Sequence, residues 1–145
     1  MMEAAKITEI LGGSRIVGKP ISSSADFIPL IRIGFSYRSL EKLVAYLGLR
    51  LETVLKSLAI NERTIQRRRS AASRLSQQES EKVYRLARLT AVAEEVFEDR
   101  QAAQVWLTNA IPALGGLTPL SLLDTEEGAR WAETELQRLA WGVYS

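Results

Sequence analysis

Arg63, Gln66, Arg67 and Ser70 recur at offsets of three and four, the spacing that places side chains on one face of an α-helix. Like charges so spaced repel by a few tenths of a kcal/mol in an isolated helix, so Arg63 beside Arg67 does not serve helix stability. An external anion would relieve the repulsion. Arginine pairs with guanine and glutamine with adenine in the major groove, so Arg63, Thr64, Gln66 and Arg67 are expected to face bases while Arg68, Arg69 and Arg74 hold phosphates. These residues belong to "NERTIQRRRSAASR", residues 61–74, which has five arginines in fourteen positions and no acidic residue after Glu62. A basic linker between two domains would show the same run.

Little else in the chain suggests chemistry. There is no cysteine and no histidine, which removes disulfides, the usual zinc sites, thiolate nucleophiles and the commonest general base. Glu94 with Glu95 and Glu126 with Glu127 are neighbours pointing to different sides of a helix, the pattern of solvated faces rather than of a paired acid and base. "LGG" at residues 114–116 lacks the lysine and strand context of a phosphate loop and reads as a turn. The expectation is a protein without catalytic residues, metal or cofactor. Trp106, Trp131 and Trp141 are expected in the core, given the area each has to bury.

The elements that would position the basic face read as helices throughout. Ala4, Ile7, Ile10 and Leu11 share a face before Gly12 and Gly13, residues 14–24 read as a loop, and Ser24 caps "ADFIPLIRI", which Pro29 can bend or shorten. Ser36 opens "YRSLEKLVAYL", with Leu40, Leu43, Val44 and Leu47 as a stripe and Gly48 as the left-handed stop. Two segments of about seven and eleven residues follow, separated by a turn around residues 58–61, with Asn61 as the second one's N-cap and Ile65 and Ala72 turned to the core. This is helix-turn-helix spacing. Ser76 and Glu79 form a capping box for a long, broadly apolar helix that has to be covered from two sides, on whose remaining face Glu81 and Arg85 can pair. Asp99 caps a helix burying Ala102, Ala103, Trp106, Leu107 and Ala110, and Thr125 begins a last helix through Trp141 with Ala129, Ala132, Leu136 and Leu139 inward and Gly142 ending it.

The 145 residues, 46% hydrophobic and 25% charged, suit one globular domain or two small ones. The overall charge of +2 is unevenly divided: residues 1–74 carry 13 Lys and Arg against 6 Asp and Glu, the remainder 6 against 11. A basic half suits phosphate; an acidic half is better placed to meet a protein. The expected fold is all-α, with an N-terminal helical segment at 1–34 that can self-associate, a DNA-binding region at 35–74 and a second helical domain at 75–145. One short reading helix covers few base pairs, so two copies on a roughly palindromic site are expected. Without a membrane-length apolar run or a secretory leader, a cytoplasmic location follows. One reading of the acidic half is oligomerisation or small-ligand binding in a dimeric transcription regulator.

"RTIQRRR", "LSQQESEKVYRLARL", "LGGLTPLSLLDTEEGA" and the terminal "WGVYS", in this order and spacing over roughly residues 34–145, resemble the Xre/MbcA/ParS-type antitoxins. The resemblance implies that residues 75–145 are a toxin-binding domain whose partner is a RES-domain, NAD-consuming toxin of a bacterial type II pair. It also implies that the chain represses its own operon by binding double-stranded operator DNA, alone or in a higher complex with the toxin. Trp141, Gly142, Val143, Tyr144 and Ser145 would then lie against the toxin and obstruct its cofactor cleft.

Overall fold

The computed structural model describes residues 2–142, and among these the elements are nine α-helices with short 3-10 turns. Helix α1 (Met2–Ile10) forms where the apolar period is helical, and Ala4, Ile7, Ile10 and Leu11 are all buried. The segment expected as a loop over 14–24 contains instead a one-turn helix, α2 (Ser14–Val17), which buries Val17. Four residues are too few to leave a hydrophobic period in the sequence. Ser24 does not cap the next helix but starts a 3-10 turn (Ser24–Asp26) with Ser23 at its cap position. The Asp26 carboxylate accepts from the Ser22 and Ser23 amides at 2.7 and 3.2 Å, and these bonds hold its pKa below the ordinary carboxylate value. Helix α3 (Phe27–Ile33) follows, with Pro29 in its first turn, where a missing amide costs no helical bond.

Helix α4 (Tyr37–Leu47) buries Leu40, Leu43 and Leu47 and stops at Gly48, whose φ of 66° is left-handed. Helices α5 (Leu51–Ser57) and α6 (Glu62–Ser70) come next. Helix α6 is shorter than the eleven residues expected, so Ala72 falls beyond it, at φ 52° and exposed instead of facing the core.

Helix α7 (Gln77–Phe97), 21 residues long, is the axis of the molecule: α1, α3, α8 (Arg100–Thr108) and α9 (Glu126–Ala140) all pack on it. Its Val83, Leu86, Ala87 and Ala93 are fully buried, and they join one hydrophobic cluster that runs from Ala4 to Leu136. The coverage from two sides that its broad apolar stripe demanded is supplied by helices from both ends of the chain. Between α8 and α9 the backbone makes two 3-10 turns (Pro112–Leu114 and Leu120–Leu122) and one antiparallel bridge, Ile111 with Leu117. Helix α8 ends at Thr108, which leaves Ala110 exposed rather than buried, and α9 ends one residue before Trp141 with Leu139 39% exposed. Trp106 is buried, but Trp131 and Trp141 are 40% and 83% exposed, against the core placement expected for all three. Ala132 and Leu136 are the apolar side chains α9 buries fully, and neither tryptophan shares their direction on the helix.

Candidate nucleic-acid interface and partner surface

Helix α6 is strongly polar, and its orientation is set by few contacts. Val54, Leu55, Leu58 and Ile60 seat the preceding helix and turn in the core, and Ile65 is the residue of α6 that is buried with them. Asn61 caps the helix by accepting from the Thr64 amide at 2.9 Å. Once Ile65 points inward, helical geometry turns positions 63, 66, 67 and 70 outward. Arg63, Gln66, Arg67 and Ser70 indeed line one shallow surface with Ala71. Arg63 and Arg67 are exposed, Gln66 and Thr64 are half-buried, and the Thr64 hydroxyl accepts from Arg67 Nη2 at 3.3 Å.

The three flanking arginines diverge. Arg69 lies 5.6 Å from the centre of the Tyr37 ring, a cation–π contact, and lines a groove with Arg38 and Arg74 at the start of α4. Arg74 Nη1 donates to the Gly34 carbonyl at 3.1 Å. Arg68 turns to Glu79 on α7, with Nε to Oε1 at 2.7 Å and Nη2 to Oε2 at 3.1 Å. The pattern in the sequence did not single out Arg38. It joins the groove through its place in the first turn of α4, next to Tyr37.

A second group of exposed side chains belongs to the C-terminal part of the chain. Seven large hydrophobic side chains are exposed among the described residues, and five of them, Val105, Leu117, Trp131, Leu139 and Trp141, belong to the C-terminal third. The Gly115–Gly116 turn is left-handed at both residues, with φ of 67° and 79°, and the Trp131 ring reaches to 3.8 Å from where a Gly115 Cβ would stand. Gly142 stands at φ 70° two residues past the end of α9, while Val143, Tyr144 and Ser145 lie outside the described residues.

Tyr46, near the end of α4, ties that helix to α7 and α8. Its carbonyl accepts from Arg100 Nη2 at 2.7 Å and Gln104 Nε2 at 2.9 Å, both on α8, and the Arg100 guanidinium stacks 3.7 Å from its ring centre. Its phenol donates to Glu94 on α7 at 2.5 Å. Burial, then the Glu94 bond and charge, push the phenol's pKa well above its usual value. Arg88 makes a comparable bridge on another face of α7, to Glu133 of α9 at 2.9 Å and Glu3 of α1 at 3.4 Å. Among the described residues no cluster of carboxylates could hold a metal ion, and no helix is long and apolar enough to cross a membrane.

Comparison with known proteins matches both parts of the chain. Residues 26–88 match the antitoxin Xre-like helix-turn-helix domain, and residues 92–142 match the antitoxin Xre/MbcA/ParS C-terminal toxin-binding domain. An antitoxin Xre of Yersinia enterocolitica is 31% identical over 132 residues, which is 90% of this chain and 89% of the relative. An antitoxin Xre of Photorhabdus laumondii is 29% identical over the same shares of both chains. A Prs ADP-ribosylating antitoxin of a Sphingobium species is 27% identical over 86% of this chain and 84% of its own length.

Proposed function

The chain belongs to the Xre antitoxin family, a helix-turn-helix component of a toxin–antitoxin pair, and from that premise we propose that it reads operator DNA with α6 and holds a RES-type toxin with residues 75–145. The observation that carries the DNA half is the outward face of α6. Arg63, Gln66 and Arg67 stand together, exposed or half-exposed, on a helix whose only fully buried side chain is Ile65. Arg and Gln in that position suit guanine and adenine edges, and Arg69 with Arg38 beside the start of α4 suits the flanking phosphates. Two copies on a pseudo-palindrome, as a homodimer, would double the short stretch that one α6 can read. Binding there represses the chain's own operon.

The toxin half rests on the matched toxin-binding domain and on the exposed apolar side chains within it. Trp131 and Trp141 have the size and character of interface anchors. Trp141, Gly142 and the residues after them would cover the toxin's NAD cleft, so that neutralisation is steric.

A gel-shift titration on the DNA upstream of the chain's own reading frame tests the reading. Gln66→Ala or Arg67→Ala is expected to weaken specific binding by about 1 to 3 kcal/mol and relax preference at one base pair. Arg69→Ala is expected to weaken every sequence alike and lower the salt slope by about one unit. Undiminished binding by all three variants would refute α6 as the reading helix.

A further inference from the structure

Although Arg68 sits in the middle of the basic run, it does not share the outward face. Its guanidinium is held on two sides of one carboxylate, Glu79, whose side chain is only 15% exposed. That carboxylate also caps a helix. Its Oε1 accepts from the Ser76 amide at 2.8 Å while Ser76 Oγ accepts from the Glu79 amide at 3.0 Å, the reciprocal pair that starts α7. The end of α6 and the beginning of α7 are therefore fastened to the same group. Helix α6 buries one side chain fully, Ile65, near its middle. One buried side chain and the Arg69–Tyr37 contact leave the roll of the helix about its axis weakly determined, and the Arg68–Glu79 fork is the charged, two-bond contact that fixes it. The link between the two helices is itself braced by Leu75 N donating to Phe35 O at 2.8 Å and Phe35 N to Ser80 Oγ at 2.9 Å. These bonds give the fork a fixed base to pull against.

We propose that Glu79 is a positioning residue for DNA reading: through Arg68 it sets the roll of α6 so that Gln66 and Arg67 meet the base edges, and Arg68 is not a phosphate contact. This rests on α6 being the reading helix. It makes a prediction opposite in sign to simple electrostatics. Removing a negative charge near a DNA-binding surface ordinarily strengthens binding, because less repulsion opposes the phosphates. Here its removal weakens specific binding.

The test uses the full-length chain with two duplexes: the DNA upstream of its own reading frame and a scrambled duplex of equal length. Glutamine satisfies the same capping box, so Glu79→Gln keeps the start of α7 while losing the charged fork. Specific binding by Glu79→Gln is expected to fall about five- to twentyfold, the scale of losing one charge-assisted bidentate contact. Binding to the scrambled duplex and the salt slope on it should stay unchanged. Arg68→Lys, which keeps the positive charge but cannot fork, is expected to lose the same amount, and the double variant no more than either single one. Equal or tighter specific binding by Glu79→Gln would overturn the proposal. So would retained affinity in Arg68→Lys together with a salt slope lowered by one unit in Arg68→Ala, which would make Arg68 a phosphate contact. Loss on both duplexes in equal proportion would reduce Glu79 to a fold-stabilising residue and overturn it as well. Gln66→Ala and Arg67→Ala run alongside: no loss there defeats the reading helix itself, whereas loss there without loss in Glu79→Gln defeats only the positioning role.

Discussion

Glu79 shows how a single group's surroundings decide its titration. Burial works to raise its pKa, but the Arg68 hydrogen bond, the Ser76 amide, the Arg68 charge and the Ser76 hydroxyl together hold it below the ordinary value of 4.5. A folded-state pKa below the unfolded one means the stabilisation is present above about pH 4.5 and lost as pH falls through the folded value. The melting temperature of the wild type is therefore expected to drop on the acid side of that point, and Glu79→Gln to drop less over the same range. A thermal melt series from pH 6 to pH 3 checks this, and parallel curves for the two proteins would show that Glu79 contributes nothing to the acid loss. At the same scale, Trp131 is 40% exposed on α9 beside the Gly115 turn and is expected to anchor the toxin. Trp131→Ala should cost about 2 kcal/mol or more of toxin affinity by calorimetry while leaving operator affinity as it was. Neither fact was legible in the sequence. The partner of Arg68 lies eleven positions away across a helix break, and exposure of a tryptophan depends on which face the next helix covers. By contrast Asn61, Ser76, Asp99 and Thr125 were legible as N-caps, because a cap bonds to amides two or three residues on and needs nothing distant.

Among the elements, α9 depends on one residue that propensity disfavours. Gly128 stands in its first turn, where glycine costs roughly 1 kcal/mol relative to alanine. Its reason is close approach: a Cβ at that position would drive into the carbonyl of Leu122, in the 3-10 turn before the helix. Gly128→Ala should therefore destabilise, by about 2 kcal/mol or more in a denaturant titration, where propensity alone would have it stabilise by about 1. A gain in stability would mean that the turn yields to the added methyl. The "DTEEGA" stretch was readable as a helix start through Thr125, but the glycine's purpose was not, since the Leu122 carbonyl arrives by tertiary packing. Strong periodicity gave α1 and α4 their correct faces, with Leu40, Leu43 and Leu47 buried as the stripe requires. Helix ends were less legible: α6 and α8 stop early, and Ala72 and Ala110, counted as inward by their period, fall outside the helices that would have turned them in.

For the whole molecule, a charge division at residue 74 suggested two separable halves, and the toxin-binding half is proposed as 75–145. The core does not divide there. Helix α7 is covered by α1 and α3 from the first half as well as α8 and α9 from the second. A fragment beginning at Leu75 loses Ile7, Ile10, Phe27 and Leu30, all buried in the shared cluster. It is expected to melt without a cooperative transition and to bind toxin more weakly than full-length Gln66→Ala, which should keep wild-type toxin affinity while losing operator binding. A fragment with a sharp transition and full toxin affinity would show that the halves fold apart.

Helix α7 also has a geometric consequence. At 1.5 Å per residue its 21 residues span about 31 Å, from the carboxylate that grips α6 to the cap that starts α8. A tilt of about 5° would displace its far end by roughly 3 Å over that length. Two copies seated on one operator would then carry their cargo at a fixed azimuth around the duplex. Each base pair added between half-sites turns one cargo relative to the other by about 34°, the angular step of a helix with 10 to 10.5 base pairs per turn. The spacer in the operator would thereby dial whether two bound toxins collide, touch or stand on opposite faces of the DNA.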